Sequence, residues 1–228
     1  MGPTVPKLIL IDGLPGSGKS TSGQQVAERI SASGRPAQLL VETQSNHPLH
    51  VFPTDDMGAA WSDIHLRTTA DRFAARSLEL WTSFLGRTDA TSFVLESYPF
   101  QSSVRVLMQM DAELDTILEY WNAWQTIVPR DEGFLIYFKE ADPVALIESA
   151  CRSRGEEWTN YMCRSCEQMP YAANRGWVGI DAVKGLILDY AELMDTLVAM
   201  AHLPVLTLPA RPVGYDDRQL EIYRALGV

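Results

Sequence analysis

A glycine-rich segment followed by lysine and serine lies near the start of the chain, directly after the apolar residues 8–11. Residues 12–21 have the sequence DGLPGSGKST, in which Gly13, Gly18, Lys19 and Ser20 fit the phosphate-binding (Walker A) pattern G-x-x-x-x-G-K-[ST]. Glycines let the backbone fold so that several N–H groups and the start of the next helix converge on one anion. The segment therefore predicts a loop that binds nucleotide phosphates.

Two side chains of this loop have specific expected roles. The Lys19 ammonium reaches the β- and γ-phosphates, and the Ser20 hydroxyl can ligate a magnesium ion. The residues predicted to bind the nucleotide are Gly13, Pro15, Gly16, Ser17, Gly18, Lys19, Ser20 and Thr21.

Two carboxylates follow two further predicted strands. Residues 37–41 form a short apolar run that ends at Glu42, and residues 92–95 form another that ends at Glu96. Ligands of open parallel sheets bind at the carboxyl ends of the strands, so both side chains are expected near the loop. Glu96 is predicted to help hold magnesium. A carboxylate placed at a strand end by chance stays an alternative, more so for Glu42.

Arg152 and Arg154 lie just before Gly155 and form a second candidate cluster. Arginines on a flap can close over a triphosphate and stabilise the charge of the transferred phosphoryl group. An ordinary charged surface turn, with Glu156 and Glu157 as local partners, is the equal alternative.

Residues 43–58 show no clear period and are predicted to be a loop near the substrate. His47 and His50 in this loop could ligate a metal, but no further Cys, His or carboxylate completes a set, so substrate contact or solvation is preferred. Residues 55–58 fit the loose D-x-x-G pattern of nucleotide switches, which we reject because no buried strand precedes them.

The composition favours a small ligand. The 228 residues include 19 Lys plus Arg and 29 Asp plus Glu, and the net charge of −10 opposes binding to nucleic acid or to an anionic membrane. Three cysteines suit a reducing compartment, with Cys163 and Cys166 predicted to be helical thiols and not a zinc or redox pair. No transmembrane-length run or signal peptide is evident, so we expect one cytoplasmic domain over residues 1–228.

Apolar periodicity predicts an α/β domain of alternating strands and helices. Besides the strands at 8–11, 37–41 and 92–95, strands are predicted at 133–138 and 203–208. Helices are predicted at 21–33, 69–85, 111–128, 142–151, 181–201 and 215–226.

The order of these parts resembles the deoxynucleoside kinase and thymidylate kinase group of P-loop kinases over nearly the whole chain. The segments that carry the resemblance are residues 13–21, 40–42, 95–98 and 152–157. It implies a P-loop NTPase fold with a five-stranded parallel sheet flanked by helices, the loop strand at its centre and a helical lid at about residues 152–175. Members of the group often dimerise, so the resemblance also allows a homodimer.

The resemblance further implies catalytic roles. Glu42 matches the carboxylate that takes the proton of the substrate hydroxyl, Glu96 matches the magnesium-holding acid, and the lid arginines match Arg152 and Arg154. The arginine that normally follows the acid is Ser97 here, which removes a contact to substrate or phosphate. Residues that read sugar and base have no clear match, so the acceptor is left open among nucleosides, nucleotides and other small alcohols.

These observations predict an ATP- and Mg²⁺-dependent kinase acting on a small-molecule acceptor, with Lys19, Glu42, Arg152 and Arg154 as catalytic residues and Ser20 and Glu96 as metal ligands. The alternative is a nucleotide-hydrolysing switch, or a nucleotide-binding interaction module without an acceptor. No Asn-Lys-x-Asp guanine-reading motif is present in the sequence.

Overall fold

Five parallel strands form one sheet in the computed structural model, which describes residues 5–52, 63–86, 91–210 and 214–228. The strands are β1 (Leu8–Gly13), β2 (Ala37–Leu40), β3 (Ser92–Glu96), β4 (Gly133–Lys139) and β5 (Val205–Pro209). Their order is β2-β3-β1-β4-β5, and every neighbouring pair is parallel. The predicted five-stranded parallel sheet of an α/β domain, with the glycine-loop strand at its centre, is confirmed.

Helices connect the strands and flank the sheet. They are α1 (Lys19–Ala32), α2 (Ile64–Arg67), α3 (Ala70–Leu85), α4 (Arg105–Gln109), α5 (Leu114–Ile127), α6 (Pro143–Arg154), α7 (Glu156–Glu167), α8 (Pro170–Asn174), α9 (Gly179–Ala199) and α10 (Tyr215–Leu226). A π-helical turn over Phe100–Val104 joins β3 to α4. None of the helices in the described ranges is long and apolar enough to cross a membrane.

The register of the central strand places the candidate residues at one edge. All six residues of β1 are buried, as expected for an apolar strand covered on both faces. Ile11 pairs with Glu96 of β3, and Gly13 pairs with Phe138 of β4. Glu96 therefore lies level with the end of β1, just before the glycine loop begins.

Three predicted boundaries differ from the structure for local reasons. β2 ends at Leu40, so Glu42 lies beyond the strand in the connection that follows. The helix predicted from residue 111 begins only at Leu114, because Asp111 has a φ of +57° and Glu113 is extended with a ψ of 145°. The last strand begins at Val205, after Pro204, which has no N–H to donate to the sheet.

The region around Gly155, where Arg152 and Arg154 were predicted to lie on a flap, consists of helix ends. Helix α6 continues through Arg154 and α7 begins at Glu156, with only Gly155 between them. Gly155 has a φ of +86°, a conformation that glycine adopts without strain, and this breaks the helix. Of the predicted loop at 43–58, only residues 43–52 fall inside the described ranges, so the rejected D-x-x-G segment lies outside them.

Candidate functional site

The loop after β1 has a backbone that only glycine accommodates. Gly13, Gly16 and Gly18 have φ values of +150°, +90° and +88°. A Cβ atom on Gly13 would lie 2.8 Å from the carbonyl oxygen of Phe138, too close for any side chain. The fold at this point therefore depends on the glycine spacing seen in the sequence.

Lys19 begins α1 and turns its ammonium back over the loop. Its Nζ donates to the carbonyl oxygens of Gly13 (2.9 Å) and Leu14 (3.1 Å) and to Oε1 of Gln101 (3.1 Å). All three acceptors are neutral, and no carboxylate among the described residues forms an ion pair with Lys19. Its positive charge is thus available to an anionic ligand.

The hydroxyl of Ser17, in the middle of the loop, is buried and finds no hydrogen-bond partner within the described ranges. A buried polar atom without a partner is unfavourable, and a phosphate oxygen would supply one. Three features of the loop therefore suit a nucleotide phosphate, namely its backbone conformation, the Lys19 ammonium and the unpaired Ser17 hydroxyl.

Ser20 and Glu96 form a group of oxygen atoms next to the loop. The Ser20 hydroxyl donates to Oε1 of Glu96 at 3.2 Å, and the Ser97 hydroxyl donates to the same oxygen at 2.8 Å. The other carboxylate oxygen accepts the backbone N–H of Glu42 at 3.3 Å. A hydroxyl beside a carboxylate is the kind of oxygen donor set that Mg²⁺ prefers.

Glu42 is buried and accepts three side-chain donors. Ser102 Oγ lies 3.2 Å and Arg105 Nη2 3.3 Å from its Oε1, and Gln101 Nε2 donates to its Oε2. The backbone carbonyl of Glu42 contacts Nε2 of His50 at 2.8 Å. Burial raises the pKa of the Glu42 carboxyl, whereas the Arg105 guanidinium lowers it. Its position and protonation are therefore both controlled by neighbours.

Gln101, Ser102 and Arg105 are the site residues that sequence reasoning missed. Ser97, which was expected to remove a cationic contact, has a φ of +71° and starts the turn that leads into the π-helix. This turn brings Arg105 back to Glu42 and so supplies a cation from α4. The approach of Arg105 to Glu42 depends on one π-helical turn, and regular helical or strand spacing in the sequence gives no signal for such a turn.

Asp12, for which no role was predicted, connects the loop to the same turn. Its carboxylate is fully buried and accepts the backbone N–H groups of Gly13 and Phe100, both at 2.9 Å. Burial raises the pKa of Asp12 to about 7. The end of β1 and the segment after β3 are thereby held together by one side chain.

A cavity of about 640 Å³ opens between the sheet edge and α6. The residues facing it from the sheet edge include Lys19, Ser20, Glu42, Glu96 and Gln101. Helix α6 contributes Leu146, Ala150 and Arg154 on the other side.

The two predicted lid arginines are placed differently. Arg154 lines the cavity, with its guanidinium carbon 4.7 Å from the centre of the Trp158 ring. Arg152 is absent from the cavity lining; its side chain is 71% exposed and lies 3.9 Å from a carboxylate oxygen of Glu148. The structure therefore brings Arg154, but not Arg152, to the other candidate residues.

The remaining candidate clusters have structural explanations. His47 and His50 are buried, and the His47 ring stacks on Tyr98 with 4.5 Å between ring centres, so of the two preferred alternatives solvation is wrong and substrate contact stays a prediction. No group of three potential metal-ligating side chains occurs in the described part of the chain. Cys163 and Cys166 lie on α7 as free thiols, as predicted.

Comparison with known proteins extends the description of the fold. No protein-family model and no curated protein sequence matches this chain. The structure is similar to the crystal structure of the YorR protein from Bacillus subtilis, which was solved in complex with phosphorylated GDP. The similarity covers 96% of this chain and 95% of that chain, with a TM-score of 0.52 and 12% sequence identity. The two chains therefore share an overall fold, and the YorR structure contains a nucleotide.

Proposed function

We propose that this chain is an ATP- and Mg²⁺-dependent kinase with a P-loop NTPase fold, which transfers the γ-phosphoryl group to a hydroxyl of a small molecule. The observation that carries the proposal is the convergence of Lys19, Ser20, Glu96 and Glu42 on one cavity at the carboxyl edge of the sheet. The nucleotide in the similar YorR structure supports a nucleotide as one ligand.

The phosphate end of the cavity binds the triphosphate of ATP and neutralises its negative charge. The backbone of residues 13–21 donates N–H groups to phosphate oxygens, and Lys19 offsets the charge that develops on the β- and γ-phosphate oxygens. Ser20 and Glu96 would hold magnesium, which would supply further positive charge near the transferred group. Arg154 approaches from α6 and stabilises the phosphoryl oxygens from the opposite side.

The acceptor end of the cavity takes up the proton that the acceptor hydroxyl loses. Glu42 accepts the proton of the acceptor hydroxyl while that oxygen forms a bond to the γ-phosphorus. The bond between the γ-phosphorus and the bridging oxygen breaks, and ADP leaves with the electron pair. Gln101, Ser102 and Arg105 hold the carboxylate of Glu42 in place for this step.

Charge at this end favours a hydroxyl over a phosphate as acceptor. The Glu42 carboxylate is buried there, and the nearby cation Arg105 is already paired with it. The sequence from residue 43 to residue 62 contains no Lys or Arg. An anionic acceptor would therefore meet negative charge without a free arginine or lysine from this segment.

The proposal is tested by magnesium-dependent ADP release from ATP, measured with pools of nucleosides, nucleoside monophosphates, aminoglycosides and other hydroxylated compounds. We expect one pool of compounds that present a free hydroxyl to stimulate release, and its monophosphate counterpart to give no stimulation. EDTA provides the matched blank. ATP hydrolysis at a rate that no acceptor pool changes would instead support a nucleotide switch. ATP binding without ADP release would support a binding module.

A further inference from the structure

A buried arginine from the far end of the chain lies directly behind the glycine loop. Arg218 belongs to α10 and is only 4% exposed. Its Nη1 donates to the carbonyl oxygens of Ser17 at 3.2 Å and Ala210 at 3.0 Å, and its Nη2 donates to the Ser22 hydroxyl at 3.4 Å. The guanidinium thus joins the loop, the start of α1 and the end of β5.

No carboxylate neutralises this cation within the described ranges. Its contacts are carbonyl and hydroxyl oxygens and the faces of two rings, Phe138 at 4.2 Å and Tyr215 at 5.1 Å from the guanidinium carbon. Its Nε is buried without a hydrogen-bond partner. A buried charge without a counter-ion is strongly unfavourable, and cation–π contacts offset this only in part.

The position of the cation indicates what could neutralise it. A Cβ atom on Gly18 would lie 2.9 Å from Nη2 of Arg218, so the guanidinium packs against the backbone just before Lys19. The same stretch of backbone forms the N-terminus of α1, where N–H groups face an anion. A phosphate bound in the loop would therefore lie on one side of the backbone at Gly18, and the Arg218 guanidinium would lie on the other side.

We propose that Arg218 is a positioning residue whose positive charge is balanced by the bound nucleotide phosphates. It acts through the loop, by holding the Ser17 carbonyl and by adding a fixed charge behind the amide groups. This inference rests on the proposed phosphate-binding function. Because coupling is reciprocal, phosphate binding must also stabilise the packing of α10 against the loop.

Two conservative variants separate charge from hydrogen bonding. Arg218→Gln keeps amide donors and loses the charge, whereas Arg218→Lys keeps the charge and loses the planar fork. Arg224→Gln, at an exposed position of the same helix, removes the same charge away from the loop. We expect calorimetric ATP affinity to fall about tenfold in Arg218→Gln, to stay within about threefold of wild type in Arg218→Lys, and to be unchanged in Arg224→Gln.

The outcomes are distinguishable once thermal melting has verified that each variant is folded. Wild-type ATP affinity in Arg218→Gln, or a larger loss in Arg218→Lys than in Arg218→Gln, would overturn the role of the charge. Absence of ATP binding by the wild-type protein would overturn the proposed function and this inference together.

Hydrogen exchange in the wild-type protein tests the coupling without a substitution. The inference predicts that inorganic triphosphate, which carries phosphates and no base, slows amide exchange in α10. Unchanged exchange in α10 under saturating triphosphate would contradict it, even if Arg218→Gln should fail to fold.

Discussion

The two ends of the cavity are built in different ways. The phosphate end of the proposed site consists mainly of one continuous segment, residues 13–21, with Lys19 as its cation, and Glu96 and Arg154 join it from β3 and α6. The acceptor end is assembled from Glu42 and three side chains that follow it by about sixty residues, Gln101, Ser102 and Arg105. Its geometry depends on side-chain contacts between distant parts of the chain.

This difference separates the recognition of phosphate, which any nucleotide offers, from the recognition of a particular acceptor. Backbone groups that converge on an anion serve any nucleotide, because they recognise phosphate and not the rest of the molecule. Under the proposed function, the side chains around the buried carboxylate of Glu42 select the acceptor and set the protonation state of that carboxylate. Gln101 contacts both ends, since its side chain accepts from Lys19 and donates to Glu42.

The largest expected effect comes from removing the cation of the phosphate end. Lys19→Ala should lower kcat by about a thousandfold, because the charge on the transferred phosphoryl group loses a positioned donor. Turnover is measured by ADP release, and circular dichroism checks the fold. Lys139→Ala, at an exposed ion pair with Asp195, is the matched control and should retain full activity. Near-normal turnover in Lys19→Ala would remove the basis for assigning a phosphate end.

The lid arginines sharpen the comparison, because they are close in sequence and only one lines the cavity. Arg154→Ala should lower kcat by about thirtyfold, since it removes a charged donor to the phosphoryl oxygens. Arg152→Ala should change kcat by less than about twofold, because its exposed contact with Glu148 contributes little. Equal effects of the two substitutions, in parallel kinetic measurements, would contradict the assignment of Arg154, but not Arg152, to the phosphoryl oxygens.

Arg105 tests whether the acceptor end controls protonation. Arg105→Met removes the cation that lowers the pKa of Glu42, so that pKa rises and the carboxylate is protonated over a wider acidic range. We expect kcat/KM at pH 6 to fall by about tenfold, and the loss to shrink as the pH is raised. Arg105→Lys keeps the charge and should retain more activity at pH 6. A loss that is equal at every pH would argue for a steric role alone.

The sequence was informative where function depends on contiguous residues. The glycine loop, the central position of β1 and the approximate ends of β2 and β3 follow from a short motif and from apolar runs, which are local properties. Arg105 could not be predicted, because its approach to Glu42 depends on the positive φ of Ser97 and on the π-helical turn. The contact of Arg218 with the loop could not be predicted for a similar reason, because Arg218 lies about two hundred residues after the loop.

The proposed role of Glu42 is tested most directly by Glu42→Gln, measured for both turnover and ATP affinity. The amide keeps the shape of the side chain but cannot accept the proton, so kcat should fall by about a hundredfold while the Kd for ATP stays unchanged. Glu79→Gln, at an exposed ion pair with Arg76, should leave both quantities at wild-type values. Loss of ATP affinity equal to the loss of turnover, or wild-type turnover, would contradict the assignment of Glu42 to the acceptor.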